Sequence, residues 1–416
     1  MSLSLIIHRG SHEIGGNALE IIHEKMRLLL DIGLPLSSFD TKNSPAAYRV
    51  SVSGLYKEET PSVSAVFLTH AHLDHTGLLC EINEKIPVYA SPATIALLQN
   101  VSVLLGAPSV GHIRFIPITN GQTVAVGNIR VTARAVDHSA AQSLAYEVTD
   151  GIKKIVYTGD LRLHGTCSYL TRRFMRTSVR PDVLLLEGTT LNRTSARAPL
   201  TEKGLQTQFL RLLQNIPKDV LPVVYFSAQN LDRFISVYKT ARALQKTLVI
   251  DPYTCYTLEQ LKTVSPSVVQ YNWRNIRVYF APNRLTRALA DKLKRYAVKK
   301  IDLPTILRAP DKFLIKDNTY VRRQLLARTN RLYFIHSAWE GYLKKDSLLQ
   351  QDARQYGITI AQLHTSGHGD VRALQTLVNK VRPKLLIPVH TDVPERYQQL
   401  FSAPVRLLKD GERLTL

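Results

Sequence analysis

At 416 residues the chain is long enough for two or three domains, and its 44% hydrophobic and 21% charged residues are those of a globular protein with a sizeable core. Lysine and arginine number 54 against 33 acidic residues, a net charge of +21 that points to a polyanionic partner, most often nucleic acid. Three isolated cysteines, Cys80, Cys167 and Cys255, exclude a disulfide framework and a cysteine zinc site, and no apolar run approaches the roughly 18 residues of a membrane span.

The N-terminal residues form a short apolar strand without the long apolar region of a signal peptide, so the expected location is the cytoplasm. Basic residues cluster in two runs. One is Arg172, Arg173, Arg176 and Arg180. The other is Arg284, Arg287, Lys292, Lys294, Arg295, Lys299 and Lys300, at roughly helical spacing.

Apolar runs at residues 4–8, 18–22 and 27–33 read as strands, the first two joined by a turn over 12–17. Asp31 closes the third. It either caps a turn or holds a neighbouring side chain in place. Residues 65–68 form a buried strand that runs into Thr69-His70-Ala71-His72-Leu73-Asp74-His75. Imidazole and carboxylate are ligands that zinc accepts in hydrolytic sites. Alternate residues of an extended chain share a face, so His70 and His72 can converge on one ion. Asp74 and His75 follow where the chain turns into a helix at 77–79, which would aim them at a neighbouring point. With 13 histidines in 416 residues, three within six positions are hard to ascribe to chance.

This H-x-H-x-D-H order at a strand end resembles the first metal motif of the metallo-β-lactamase fold. The resemblance directs attention to later strand ends. A strand at 128–136 runs into His138, where the fold places its next ligand. Residues 154–160 end in Gly159-Asp160, similar to the motif that supplies a carboxylate shared by two ions. A strand at 183–190 carries Glu187, and here the resemblance narrows to the β-CASP nucleases, the branch that includes ribonuclease J and the cleavage-and-polyadenylation-factor nuclease.

From residue 192 helices and strands alternate. Helices are predicted at 201–213 and 230–244, and strands at 220–226, 247–251, 277–281 and 331–337, the pattern of a doubly wound parallel sheet. The β-CASP family inserts an α/β domain at this point. Residues 366–368 (Ser-Gly-His) and 388–390 (Pro-Val-His) match further family motifs, with a helix between them to Val381. The segment 405–416, with Asp410-Gly411 as its turn, reads as a closing hairpin. No residues are expected for the additional C-terminal domain of many ribonuclease J proteins.

The expected architecture is therefore an α/β metallo-β-lactamase αββα sandwich, residues 1–191 and 362–416, with a β-CASP domain inserted at 192–361. The resemblance implies two zinc ions, with manganese accepting the same ligands. One would be held by His70, His72, His138 and Asp160, the other by Asp74, His75, Asp160 and His390. It implies His368 as proton donor with Glu187 orienting it, and Asp74 as a further catalytic group. Ser227, Asn230, Arg233, Ser337 and His364 are candidates for binding substrate phosphates, Arg233 alternatively pairing with an acid. The implied substrate is RNA, since RNA-processing relatives carry His where His390 stands and DNA-processing relatives Val. The competing readings are a DNA-acting β-CASP nuclease and a small-molecule hydrolase of esters, thioesters or lactones. Cleavage within the chain or from its 5′ end, and a monomeric or homodimeric state, both stay open at this point.

Overall fold

Leu28, Leu29 and Leu30 are fully buried, and so are Ala65, Val66 and Phe67. A strand with no solvent face belongs in a sheet covered on both sides. The computed structural model describes residues 2–101, 104, 106, 108–193, 199–265, 267–282 and 287–416. It places those strands inside a seven-stranded mixed sheet, in the order Arg413–Thr415, Ser4–Arg9, Ala18–His23, Met26–Leu30, Ala65–Phe67, Val88–Ala90 and Phe115–Pro117.

A second sheet has six strands, in the order Leu385–Val389, Val183–Glu187, Lys154–Tyr157, Leu144–Thr149, Ile129–Ala135 and Thr123–Val126. Between the sheets lie Leu5, Ile7, Leu19, Ile21, Leu28 and Phe67 from one, and Val131, Tyr146, Ile155, Tyr157, Leu185 and Ile387 from the other. The outer face of the second sheet packs against the helices Ser168–Thr177 and Val371–Val381 through Phe174, Met175, Leu374, Leu377 and Val378. These elements form the first of two compact units, Met1–Ala198 with Gly367–Leu416.

The strands Met26–Leu30 and Ala65–Phe67 pair in parallel, as do Lys154–Tyr157, Val183–Glu187 and Leu385–Val389. Their carboxyl ends lead directly into Asp31, His70, Asp160, Glu187 and His390. Parallel pairing is what gathers these residues, distant in sequence, at one edge.

The second unit, Pro199–Ser366, is built on a six-stranded sheet in which every pairing is parallel. Its order is Ile276–Val278, Thr247–Ile250, Phe313–Lys316, Leu221–Tyr225, Leu332–His336 and Thr359–Gln362. Polar caps start its helices: Thr201, Asn230, Asp251 and Asp302 each accept a hydrogen bond from the backbone N–H three residues on. The strand Thr359–Gln362 belongs to this sheet, so the chain leaves the unit beyond the expected residue 361. Of the second basic run, Arg284 lies outside the described residues.

One expectation is corrected. The segment 405–416 does not close as a hairpin. Arg413–Thr415 pairs with Ser4–Ile6, while Val405 bridges Leu386 of the other sheet. The Asp410-Gly411 turn forms, with Gly411 at φ +83, but its N–H donates to Ile7 O. The unpaired edge of the first strand takes the C-terminal segment, and the two arms of the turn go to different sheets.

Candidate metal centre

The H-x-H-x-D-H turn is clamped from behind by residues 32–34. Ile32 N donates to His75 O at 2.8 Å and Leu34 N to Leu73 O at 3.0 Å. Gly33 lies so close that a Cβ there would stand 1.8 Å from Asp74 O, so no other residue fits. His72 precedes a single helical turn, Leu73–Thr76, rather than a long helix, and this turn swings Asp74 and His75 away from His70 and His72.

Two groups of side chains result, and a third overlaps them. His70, His72, His138 and Asp160 each bring a ligand atom within 4.8 Å of the others, and so do Asp74, His75 and His390; Asp160 and His390 stand equally close to His368. In the first group His70 Nε2 lies 3.0 Å from His72 Nδ1, which lies 3.3 Å from His138 Nε2. Asp160 Oδ2 is 3.6 Å from His70 Nε2 and 3.8 Å from His138 Nε2. Four ligands about 2.1 Å from a tetrahedral zinc stand roughly 3.4 Å apart, so these spacings fit one ion. In the second group Asp74 Oδ2 lies 3.8 Å from both His75 Nε2 and His390 Nε2. Asp160 faces this group too, with Oδ2 3.2 Å from His75 Nε2 and Oδ1 3.8 Å from His390 Nε2.

Hydrogen bonding fixes which nitrogens are bare. His138 Nδ1 donates to Gly367 O at 2.7 Å, and His75 Nδ1 to Asp31 Oδ2 at 2.8 Å. Thr69 gives its hydroxyl hydrogen to Asp31 Oδ2, so its oxygen accepts from His70 Nδ1 at 3.0 Å. In the neutral form of these rings it is therefore Nε2 that carries the lone pair. His75 Nε2, His390 Nε2 and Asp160 Oδ1 are buried without a hydrogen bond among the described residues. Buried bare acceptors at this spacing are unfavourable unless a cation sits among them, so the donor set fits a metal.

Charge tells the same story. Burial, reinforced by neighbouring imidazoles, holds the His70 pKa well below its ordinary value, and burial does the same to His138 and, less strongly, to His72 and His390. Neutral imidazole is the ligating form. His75 goes the other way: burial opposes its protonation, but Asp160, Asp31 and Asp74 together push its pKa well above normal. A bound cation would supply the positive charge those carboxylates draw to His75.

Asp31 organises the ligands, as one of its two sequence readings has it. It is fully buried and accepts from Thr69 N (2.7 Å), Thr69 Oγ1, His75 Nδ1 and Tyr157 Oη (each 2.8 Å). Tyr157 in turn accepts from Asn17 Nδ2 at 3.0 Å, which turns Asn17 Oδ1 to His390 Nδ1 at 3.1 Å. One carboxylate thus orients His75 directly, His70 through Thr69, and His390 through Tyr157 and Asn17. Sequence reasoning missed Asn17 and Tyr157. Their only signal was position, in the Gly-Gly-Asn turn and two residues before Gly159.

His368 stands at the same edge. Its Nδ1 is 3.1 Å from Glu187 Oε2 and 3.8 Å from Asp160 Oδ2. Burial disfavours its protonation, but Glu187 and then Asp160 raise its pKa above the ordinary value. The Glu187 carboxylate is itself held by Leu161 N and Thr189 N. The His368 and Asp74 side chains are 19% and 16% exposed against 1% or less for His70, His75, His138, His390 and Asp160, so they mark the face open to solvent.

The five substrate-binding candidates all fall in the second unit. Arg233 and Ser337 are corrected from direct contact to internal framework, because neither reaches solvent. Arg233 is fully buried, donating to Ser337 O and Oγ (both 2.6 Å), Glu202 Oε1 and Thr365 O (both 3.2 Å), and lying 3.4 Å from His364 Nδ1. Ser337 Oγ donates to Leu363 O at 2.6 Å. Asn230 caps the helix Leu231–Ala243 by accepting from Arg233 N, and exposed Ser227 accepts from Gln229 N. Among the described residues no helix is long and apolar enough to cross a membrane.

Residues 38–216 match a family model described as a beta-lactamase superfamily domain, and residues 358–402 one described as a Zn-dependent metallo-hydrolase RNA specificity domain. Ribonuclease J of Sinorhizobium meliloti is 24% identical over 86% of this chain and 64% of its own length, and ribonuclease J of Mycobacterium tuberculosis 25% identical over 92% and 67%. The chain thus spans about two thirds of these relatives. An RNase J-like protein of Methanocaldococcus jannaschii is 24% identical over 95% of this chain and 93% of its own. Among solved structures, a protein of unknown function from Enterococcus faecalis V583 superposes with a TM-score of 0.82 at 22% identity, covering all of both chains, which supports the fold.

Proposed function

We propose that this chain, a member of the metallo-β-lactamase superfamily with the β-CASP arrangement, is a metal-dependent ribonuclease that hydrolyses RNA phosphodiester bonds. The observation that carries the reading is Asp160, whose Oδ2 faces His70, His138 and His75 while its Oδ1 faces His390. One carboxylate serves two ligand groups, so the reading assigns two ions, zinc or manganese. His70, His72, His138 and Asp160 would hold one, and Asp74, His75, His390 and Asp160 the other. When bound, such a pair lowers the pKa of water towards neutrality and offsets charge on a phosphate.

The chain's own residues supply the rest. Protonated His368, held through Nδ1 by Glu187, presents Nε2 to the leaving sugar oxygen and gives it a proton as the bond to phosphorus breaks. The raised pKa favours the form that can donate. Asp31, with Thr69, Tyr157 and Asn17, keeps the imidazoles aimed without reorganisation during the reaction. Asp74, partly exposed, acts as ligand on the face that substrate must approach. Ser227, Asn230 and His364 are the remaining candidates for phosphate contact on the second unit.

The RNA-specificity match, the names of the relatives and His390 favour RNA over DNA, and the Glu187–His368 pair together with the +21 charge favours a polyanion over a small ester or thioester. Incubating the metal-loaded protein with RNA, single-stranded DNA and a generic thioester tests this. RNA cleavage is expected, and thioester hydrolysis without it would refute the reading. Digesting one RNA bearing a 5′-triphosphate, 5′-monophosphate or 5′-hydroxyl separates internal cleavage from 5′-end attack.

A further inference from the structure

The helix Ser168–Thr177 buries Thr171, Phe174 and Met175 against the second sheet. Its other face carries Tyr169, Arg172, Arg173 and Arg176, which at i, i+3, i+4 and i+7 form one row. Tyr169 is 62% exposed, and the three arginines are exposed as well. The helix contains no acid, and none of the three guanidinium groups has a hydrogen-bond or ion-pair partner among the described residues. Like charges at this spacing destabilise a helix on their own; an anionic partner would offset that.

Beside the row is a cavity of about 60 Å³, lined by Asn120, Gly121, Arg134, Arg173 and Thr177 among others. Arg134 pairs with Glu147 through Nη2 at 2.9 Å, but its Nε is buried with no hydrogen bond to a described residue. Asn120 Oδ1 accepts from Ala135 N at 2.9 Å, which leaves the amide NH₂ as a donor. Counting Arg134, Arg173 and Glu147, the cavity keeps a net positive charge and spare donors, the chemistry that receives a phosphate.

The row is anchored next to the candidate metal centre. Asp137 N, beside His138, donates to Thr171 Oγ1 at 2.9 Å. Asp160 precedes the helix in the chain and Glu187 follows it.

We infer that this helix face is a binding track for single-stranded RNA, on which Arg172, Arg173 and Arg176 neutralise successive phosphates, the cavity at Arg134 and Arg173 seats one of them, and Tyr169 stacks on a base. The inference rests on the ribonuclease reading for its choice of polyanion. An anionic membrane would meet the arginines equally well. It has no use, however, for an aromatic ring in the row or for a phosphate-sized cavity, whereas basic groups interleaved with a stacking ring are how single strands are held without sequence preference.

The test uses the full metal-loaded chain and a 2′-O-methyl RNA oligonucleotide that resists cleavage. Each phosphate neutralised on a single strand contributes about 0.7 to the slope of log affinity against log salt, so R172A/R173A/R176A should flatten the slope by roughly two and weaken binding about 100-fold at 0.1 M salt. Tyr169→Leu, which keeps the apolar bulk and removes the ring, should weaken binding roughly 10-fold and leave the slope alone. Hydrolysis of bis-p-nitrophenyl phosphate should stay within about twofold of wild type in both variants, since the row touches none of the metal-group residues, and this also shows that they fold. An unchanged slope in the triple variant, with RNA still bound by wild type, overturns the track and leaves the ribonuclease reading standing. So does loss of binding to phosphatidylserine vesicles with RNA affinity intact. If wild type hydrolyses the small diester but neither binds nor cleaves RNA, the ribonuclease reading itself fails.

Discussion

Asp31→Asn is the sharpest probe of how the centre is organised. Asp31 sits at φ +60, a conformation asparagine tolerates better than most residues, so the backbone should survive the change. The side chain is another matter. Oδ2 receives Thr69 Oγ1, His75 Nδ1 and Tyr157 Oη, and Oδ1 receives Thr69 N. If the amide oxygen takes the Oδ2 position, the NH₂ group faces the N–H of Thr69. If it takes the other, the NH₂ faces three donors. The better arrangement leaves one buried donor pair unsatisfied, at about 1–3 kcal/mol, and turns three charge-assisted hydrogen bonds into neutral ones, at roughly 1 kcal/mol each. A destabilisation of roughly 4–6 kcal/mol of the metal-free protein follows, measurable by urea unfolding. The rings would also be held less firmly, and weakening such supporting hydrogen bonds costs about 10- to 100-fold in metal affinity. The group at His75 and His390 should suffer most, because His75 exchanges its direct carboxylate partner for a neutral amide oxygen. Titration against a chromophoric chelator reads this out. Metal affinities within threefold of wild type, with unfolding unchanged, would refute the role of Asp31 as organiser. Tyr157→Phe, which breaks only the link to Asn17 and His390, should give a smaller loss confined to one equivalent.

Elemental analysis of the reconstituted protein should give close to two equivalents of zinc or manganese per chain; full activity at one equivalent or fewer would end the two-ion reading. His368→Ala should lower RNA cleavage by roughly 10²- to 10⁴-fold with metal content retained, and loss of an equivalent would make His368 a ligand instead. Because His368 has a raised pKa in the folded state and must be protonated to act, activity should fall as pH rises through that value. Glu187→Gln, by removing the charge that does most to raise it, should move this basic limb toward acid, and a limb that stays in place would assign it to another group. Arg233→Met removes the guanidinium that pairs with the buried Glu202 carboxylate and should destabilise the protein by about 3–5 kcal/mol, while a loss under about 1 kcal/mol in urea unfolding would return Arg233 to the surface.

What could be read from the sequence and what could not divides along the range of the contacts. His70, His72, Asp74 and His75 announce themselves because four metal-capable groups fall within six residues at a strand end, whereas His138, Asp160 and His390 are legible only through the family resemblance that this first motif carries. Each motif is local, and the parallel pairing of Lys154–Tyr157, Val183–Glu187 and Leu385–Val389 does the gathering. Asn17 and Tyr157 obey no such rule. They are 140 residues apart and meet only because two sheets pack face to face, so neither the Gly-Gly-Asn turn nor the tyrosine signals the pair. The closing segment misled for the same reason. Asp410-Gly411 is a genuine turn, but where its two arms go is settled by the open edge of Ser4–Arg9 and by Leu386. Arg233 carries the residue type and helix-start position that suggest phosphate binding, yet Glu202, 31 residues earlier, takes its charge inside the second unit. Glu187 and His368 show the converse: 181 residues separate them, and each is legible through the family motif it matches, Glu187 at a strand end and His368 before a helix. The partners worth mutating first are therefore those no local pattern could reveal. A ligand histidine states what the site can bind, whereas Asp31, Tyr157 and Asn17 decide whether the rings point at an ion or merely stand near one another.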